Sequence, residues 1–148
     1  MNRSVLIRSA CAAALVTAVA GCAGMRGSGQ QLFEANMTGA QEVPPVATAG
    51  SGRAEVRYNT GTNMLSWSVT YSGLSGPATA GHIHGPAGPG QNAGVLVPFT
   101  NVTAPTITGE TRITPEQLTQ LTSGQWYVNL HTAAHPGGEI RGQLRPKP

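Results

Sequence analysis

From residue 32 onward, apolar side chains recur mostly at every second position, the repeat of a strand that turns one face to a core. The clearest runs cover residues 32–37, 54–58, 64–71, 94–99, 106–113, 125–132 and 139–144. Gly, Pro, Asn and Thr separate them, and residues 59–63, Asn-Thr-Gly-Thr-Asn, read as a hairpin turn. Within 125–132 the alternation assigns Trp126, Val128 and Leu130 to a core face and Tyr127, Asn129 and His131 to the opposite one. After the turn His135-Pro-Gly-Gly, Ile140 and Leu144 return to the core side, while Glu139, Arg141 and Gln143 join His131 on a polar side. Trp67, Val69 and Tyr71 form a similar inward row. Many short strands joined by short loops predict an all-β fold: an antiparallel β-sandwich, either immunoglobulin-like or a barrel-like Greek key.

One segment breaks the period. In 114–122, Thr114 suits an N-cap, Pro115 the first helical position, and Leu118 and Leu121 lie three apart on one face. This predicts one short helix that connects two strands.

The chain before residue 32 has another character. Arg3 and Arg8 precede a short apolar run, 10–20, which is too short to span a bilayer and reads as an export signal. Val19-Ala20-Gly21-Cys22 matches a bacterial lipobox, so residues 1–21 are expected to be a lipoprotein signal peptide and Cys22 the lipidation site. Residues 22–31, rich in Gly and Ser, are expected to be a flexible tether, and 32–148 the folded domain. The expected location is the cell envelope, with the membrane contacted through the N-terminal lipid. Ala23 in place of aspartate favours the outer membrane, facing the periplasm or the cell surface.

This processing changes the meaning of composition. Cys11 would leave with the signal and Cys22 would carry lipid, so no internal disulfide is expected and the core alone must hold the fold. The formal charge of +3 falls once Arg3 and Arg8 are removed, because seven basic side chains then face six acidic ones. With no basic run, nucleic acid is not an expected partner.

Chemistry concentrates in two blocks that hold all four histidines: 80–90, with His82 and His84, and 126–144, with His131 and His135. His82 and His84 lie two apart, so on a strand both imidazoles share a face, a spacing suited to one ion. His131 is the third candidate ligand, and His135 or Glu139 a fourth. Copper or zinc is the ion class this donor set suits. Copper-zinc superoxide dismutases also carry a His-x-His strand on an antiparallel scaffold, but this chain has no aspartate and none of that enzyme's bridging-site sequence. The competing reading is structural: imidazoles that stitch two loops together through backbone hydrogen bonds and Glu139. Glu139 and Arg141, two apart, read first as an ion pair or as cross-strand contacts fixing the terminal hairpin, and second as a catalytic acid with an anion clamp. The Gly-rich 85–90 lacks the Lys-Ser/Thr of a phosphate loop.

Enzymatic readings fail by elimination. No cysteine remains as a nucleophile, no aspartate can orient a histidine, no Gly-x-Ser-x-Gly elbow appears, and the glutamates have no signature spacing. The expectation is therefore a non-enzymatic binding module.

Three segments in order, Ala40-Gln-Glu-Val-Pro-Pro, Gly81-His-Ile-His-Gly-Pro-Ala, and Tyr127-Val-Asn-Leu-His-Thr with Pro136-Gly-Gly-Glu-Ile-Arg-Gly-Gln, resemble those of the chordin-domain (CHRD) family, as found in bacterial lipoproteins. The resemblance spans about residues 33–144. It implies an extracytoplasmic β-sandwich module that contacts a protein or polysaccharide partner, with transition-metal binding through the histidines as the alternative. The developmental role of the family's animal members does not transfer, since no cysteine-rich repeats accompany this domain.

Overall fold

The computed structural model describes residues 29–148. The chain forms β1 (Gln30–Thr38), β2 (Ser51–Asn59), β3 (Met64–Ser72), β4 (Ala78–His84), β5 (Val95–Pro98), β6 (Ile107–Arg112), α1 (Pro115–Thr122), β7 (Tyr127–Thr132), β8 (Ile140–Gln143) and β9 (Arg145–Pro146). All pairings are antiparallel, in the order β5-β4-β7-β8-β1-β2-β3-β6, with the short β9 added to β1. The sheet curls into a nearly closed, barrel-like form, the barrel-like branch of the expected all-β fold.

Period two builds the interior. Phe33 and Met37 from β1, Val56 from β2, Leu65 and Val69 from β3, Ile83 from β4, Val128 and Leu130 from β7, and Ile140 from β8 are all buried in one core. The Asn59 turn forms as the sequence predicts: Asn59 Oδ1 accepts from Gly61 N at 2.9 Å and Thr62 N at 3.1 Å. It joins β2 and β3 in the full register Ser51↔Ser72 to Asn59↔Met64. Opposite Trp67, β6 carries Gly109, because any Cβ there would run into the indole ring.

The helix also forms where expected. Thr114 Oγ1 accepts from Gln117 N at 3.2 Å while Gln117 Oε1 accepts from Thr114 N at 2.9 Å, a reciprocal capping box. Leu121 is buried, and Trp126 just beyond is buried with it, its Nε1–H donating to Gln120 Oε1.

The polar side of the β7–β8 hairpin is covered by protein. All six residues of β7 are buried, including Tyr127, Asn129 and His131, and Glu139 and Arg141 are 0 % and 1 % exposed. Two loops lie over this polar face. Thr48 reaches Glu139, Gln91 and Asn92 accept from Arg141, and Ala87 O accepts from Gln143. Asn92 Nδ2 then donates to Val43 O, tying one loop to the other. The barrel therefore has a hydrophobic interior and, outside β4, β7 and β8, a second, polar interior. β1 begins at Gln30, so Gln30 and Gln31 of the expected tether pair with β2. Cys22 and the signal segment lie outside the described residues.

Candidate metal centre

β4 and β7 pair side by side, with His82 opposite Asn129, Ala80 opposite His131 and His84 opposite Tyr127. The pairing brings together two sequence blocks that lie far apart along the chain. His82, His84 and His131 offer ring nitrogens that all lie within 4.8 Å of one another. His82 Nδ1 is 3.0 Å from His131 Nε2. His84 and His131 are 8 % and 9 % exposed, whereas His82 is half-buried and gives the group its opening to solvent.

Backbone carbonyls decide the tautomers. His84 Nδ1 lies 3.0 Å from Ala93 O and His131 Nδ1 lies 2.9 Å from Pro136 O. A carbonyl oxygen only accepts, so each Nδ1 carries the hydrogen and each Nε2 of a neutral ring presents its lone pair. Such an outer hydrogen bond is how proteins orient metal-ligating imidazoles. Both Nε2 atoms face Asn129 Oδ1, at 3.0 Å from His84 and 3.1 Å from His131.

The electrostatics favour the neutral form of His82 and His131. Burial pushes His82 below the ordinary imidazole value, and the neighbouring His131 and His84 lower it further. Burial likewise lowers His131, against the opposing hydrogen bond to Pro136 O. Neutral imidazole is the form that binds a metal ion.

A stack backs the group. The Tyr127 ring lies parallel to His84, at 4.8 Å between centroids and 2° between planes, and the Arg141 guanidinium covers the other face, 3.4 Å from the Tyr127 centroid. Arg141 is held by Asn92 Oδ1 at 3.0 Å and Gln91 O at 2.6 Å.

The expected fourth ligands stand elsewhere. Glu139 Oε1 accepts from Thr48 Oγ1 and Ser75 N, each at 2.7 Å, and Oε2 accepts from Ser75 Oγ and Thr132 Oγ1, each at 2.6 Å. Burial opposes its charge, but these hydrogen bonds from Ser75, Thr132 and Thr48 outweigh it and hold the carboxyl at about 2. With every oxygen engaged by hydroxyl or amide donors, Glu139 has no free lone pair aimed at the histidines. Among the described residues no ion pair joins it to Arg141, which corrects the ion-pair branch of that expectation: the two side chains diverge to different loops. His135 is outside the three-histidine group and lines a surface cleft with Val43 and Pro136.

Two residues of this region escape sequence reasoning. Asn129 was placed only on a polar face. Glu42, 6 % exposed, stands behind it: burial raises its carboxyl to about 7, against the charge of Arg141 and hydrogen bonding from Val43 N–H and the Asn129 amide. At strict geometry Glu42 Oε1 nevertheless has no hydrogen-bond partner. Gly138, at φ 128°, makes room for both, since a Cβ there would meet Glu42 Oε1 and Asn129 Nδ2. Glu42 also lines a cavity of about 450 Å³ with Val43, Pro45, Pro89, Arg141 and Gln143.

A family model for the CHRD domain matches residues 33–144 of the chain. No curated protein and no solved structure matches it.

Proposed function

Since the chain belongs to the CHRD-domain family, we propose that it is a binding module of the cell envelope whose ligand is a transition-metal ion, copper or zinc. His82 Nδ1, His84 Nε2 and His131 Nε2 hold the ion. One observation carries this reading: the nitrogens converge within 4.8 Å, while backbone carbonyls take the far hydrogens of two of the rings and aim their lone pairs inward. A purely structural role would satisfy each imidazole with one donor and one acceptor, and here the inner side offers His84 only an oxygen. The module acts by binding rather than catalysis, and a lipid on Cys22 keeps it at the membrane.

The test is metal uptake by purified, tag-free protein stripped with chelator. Calorimetric titration with copper(II) and zinc(II) should give one ion per chain, and His84→Ala and His131→Ala should each abolish it. At a hundredfold excess over the dissociation constant the ion should stabilise the fold by about 2.7 kcal/mol. Wild-type protein that takes up neither ion overturns the reading.

A second reading, docking of a protein or polysaccharide, is favoured by the 450 Å³ cavity over Glu42 and Arg141.

A further inference from the structure

We propose that Asn129 is the fourth ligand of this centre, so that the ion sits in a closed shell of three imidazole nitrogens and one carboxamide oxygen with no position open to an outside molecule. The inference rests on the metal reading above and specifies what kind of site it is.

The argument starts from hydrogens that are missing. His84 Nε2 and His131 Nε2 carry none, because the Nδ1 atoms hold them against Ala93 O and Pro136 O. Asn129 Oδ1 never carries one. Yet these three atoms stand 3.0 and 3.1 Å apart, as close as hydrogen-bonded pairs, with electron pairs facing one another. His82 Nδ1 adds a further nitrogen 3.0 Å from His131 Nε2. A single proton bridges one such pair and leaves the rest opposed. A cation at the common point serves all of them.

The spacing agrees. Tetrahedral bonds of 2.0–2.1 Å to nitrogen and oxygen set donor atoms about 3.3–3.4 Å apart. The observed contacts fall a few tenths short of that, and the widest nitrogen pair, within 4.8 Å, has to draw in.

The amide is held in the orientation the site requires. Its Nδ2 lies on the Glu42 side, where Gly138 leaves space for both, and a carboxyl oxygen there can accept from Nδ2 while Oδ1 stays turned to the histidines. Glu42 is thus a positioning residue. Around the shell, Tyr127 packs on His84 and the 85–94 and 135–138 loops supply the two carbonyls, so His82 is the remaining side for entry. Four protein ligands and one half-open flank describe a site that holds an ion. A site that activates water keeps its fourth position free.

Cobalt(II), a visible stand-in for zinc with the same tetrahedral preference, reads coordination directly. The cobalt-loaded full chain should show the strong absorption of four-coordinate cobalt, unchanged by millimolar azide. Asn129→Ala should bind zinc about 10- to 100-fold more weakly, and its cobalt form should shift its bands on adding azide as the vacated position fills. Asn129→Asp, which restores an oxygen, should regain affinity and azide resistance. Azide binding by the wild-type cobalt form, or unchanged zinc affinity in Asn129→Ala, overturns the fourth-ligand assignment while three-histidine binding survives. Failure of the wild-type chain to take up metal removes both readings together. If Asn129→Ala does not fold, the wild-type azide result alone decides.

Discussion

Replacing Glu139 by Gln tests whether a single buried carboxylate holds the polar layer in place. In the native state its two oxygens accept four hydrogen bonds, from Thr48, Thr132 and both the amide and hydroxyl of Ser75. Those donors come from three separate stretches of chain. Gln keeps the shape and one oxygen, so two bonds persist without their charge. Its NH2 then faces Ser75 Oγ and Thr132 Oγ1, which must turn from donor to acceptor, and these lie 3.1 Å from each other. A hydrogen bond to a charged group is worth about 1.5–3 kcal/mol against about 0.5–1.5 for a neutral one. Losing about 1 kcal/mol at each of two to four bonds predicts a cost of about 2–4 kcal/mol at pH 7. Urea unfolding of the two proteins measures it directly. The pH dependence supplies an independent check. The folded carboxyl, at about 2, lies below its ordinary value of 4.5, so its contribution is fully present above pH 4.5 and is lost as pH falls toward 2. The gap between wild type and Glu139→Gln should therefore narrow over that window. A variant as stable as wild type at pH 7, or a gap that stays constant from pH 5 to 2.5, refutes the account.

Other substitutions probe other parts of the molecule. Leu130→Ala, at a fully buried β7 position, should cost about 2–5 kcal/mol in chemical unfolding; a cost under 1 kcal/mol would mean that the core does not close over β7. Gly109→Ala places a methyl group where the Trp67 ring lies and should cost about 1–3 kcal/mol, with a changed near-ultraviolet dichroism from the Trp67–Phe99 stack; an unaltered spectrum and melting temperature would contradict the packing. Cys22→Ser should move the protein from the membrane to the soluble fraction, and a variant that stays membrane-bound would rule out lipid on that residue as the anchor.

Legibility in the sequence followed local physics. The Asn59 turn, the Thr114 capping box and the inward row of Trp126, Val128 and Leu130 each rest on residues close in sequence, and each appears as read. The three histidines were legible because His82 and His84 are locked to one face by strand period, and His131 was within reach of them once β7 paired with β4. The covered face was not legible. Alternation separates two sides of a strand and says nothing about whether water or a loop lies against the second. The loops that cover Tyr127, Asn129, Glu139 and Arg141 are rich in Gly and Pro and carry no period. Glu139 and Arg141 looked like partners because they are two apart and opposite in charge, yet each finds donors or acceptors on a different loop. Asn129 and Glu42 escaped for a further reason: an amide and a lone glutamate have no spacing signature, and only the register of β4 against β7 and the fold of 39–50 give them meaning.

The pairing of β4 with β7 also sets an order of events. His131 follows His84 by 47 residues, so pairing β4 with β7 closes a long loop that contains β5, β6 and α1. A chain that has presented only its first hundred residues offers a two-imidazole fragment, too poor in donors to compete for a scarce ion. Sheets built from such distant pairings form slowly. Under the proposed metal reading, capture would therefore be a late event that marks a finished fold rather than a template for it. Retention would be governed by the same contact: an ion enclosed by both strands would leave either past His82 or when β7 peels away, and the lifetime of the native sheet would then be a clock for the slower of the two routes.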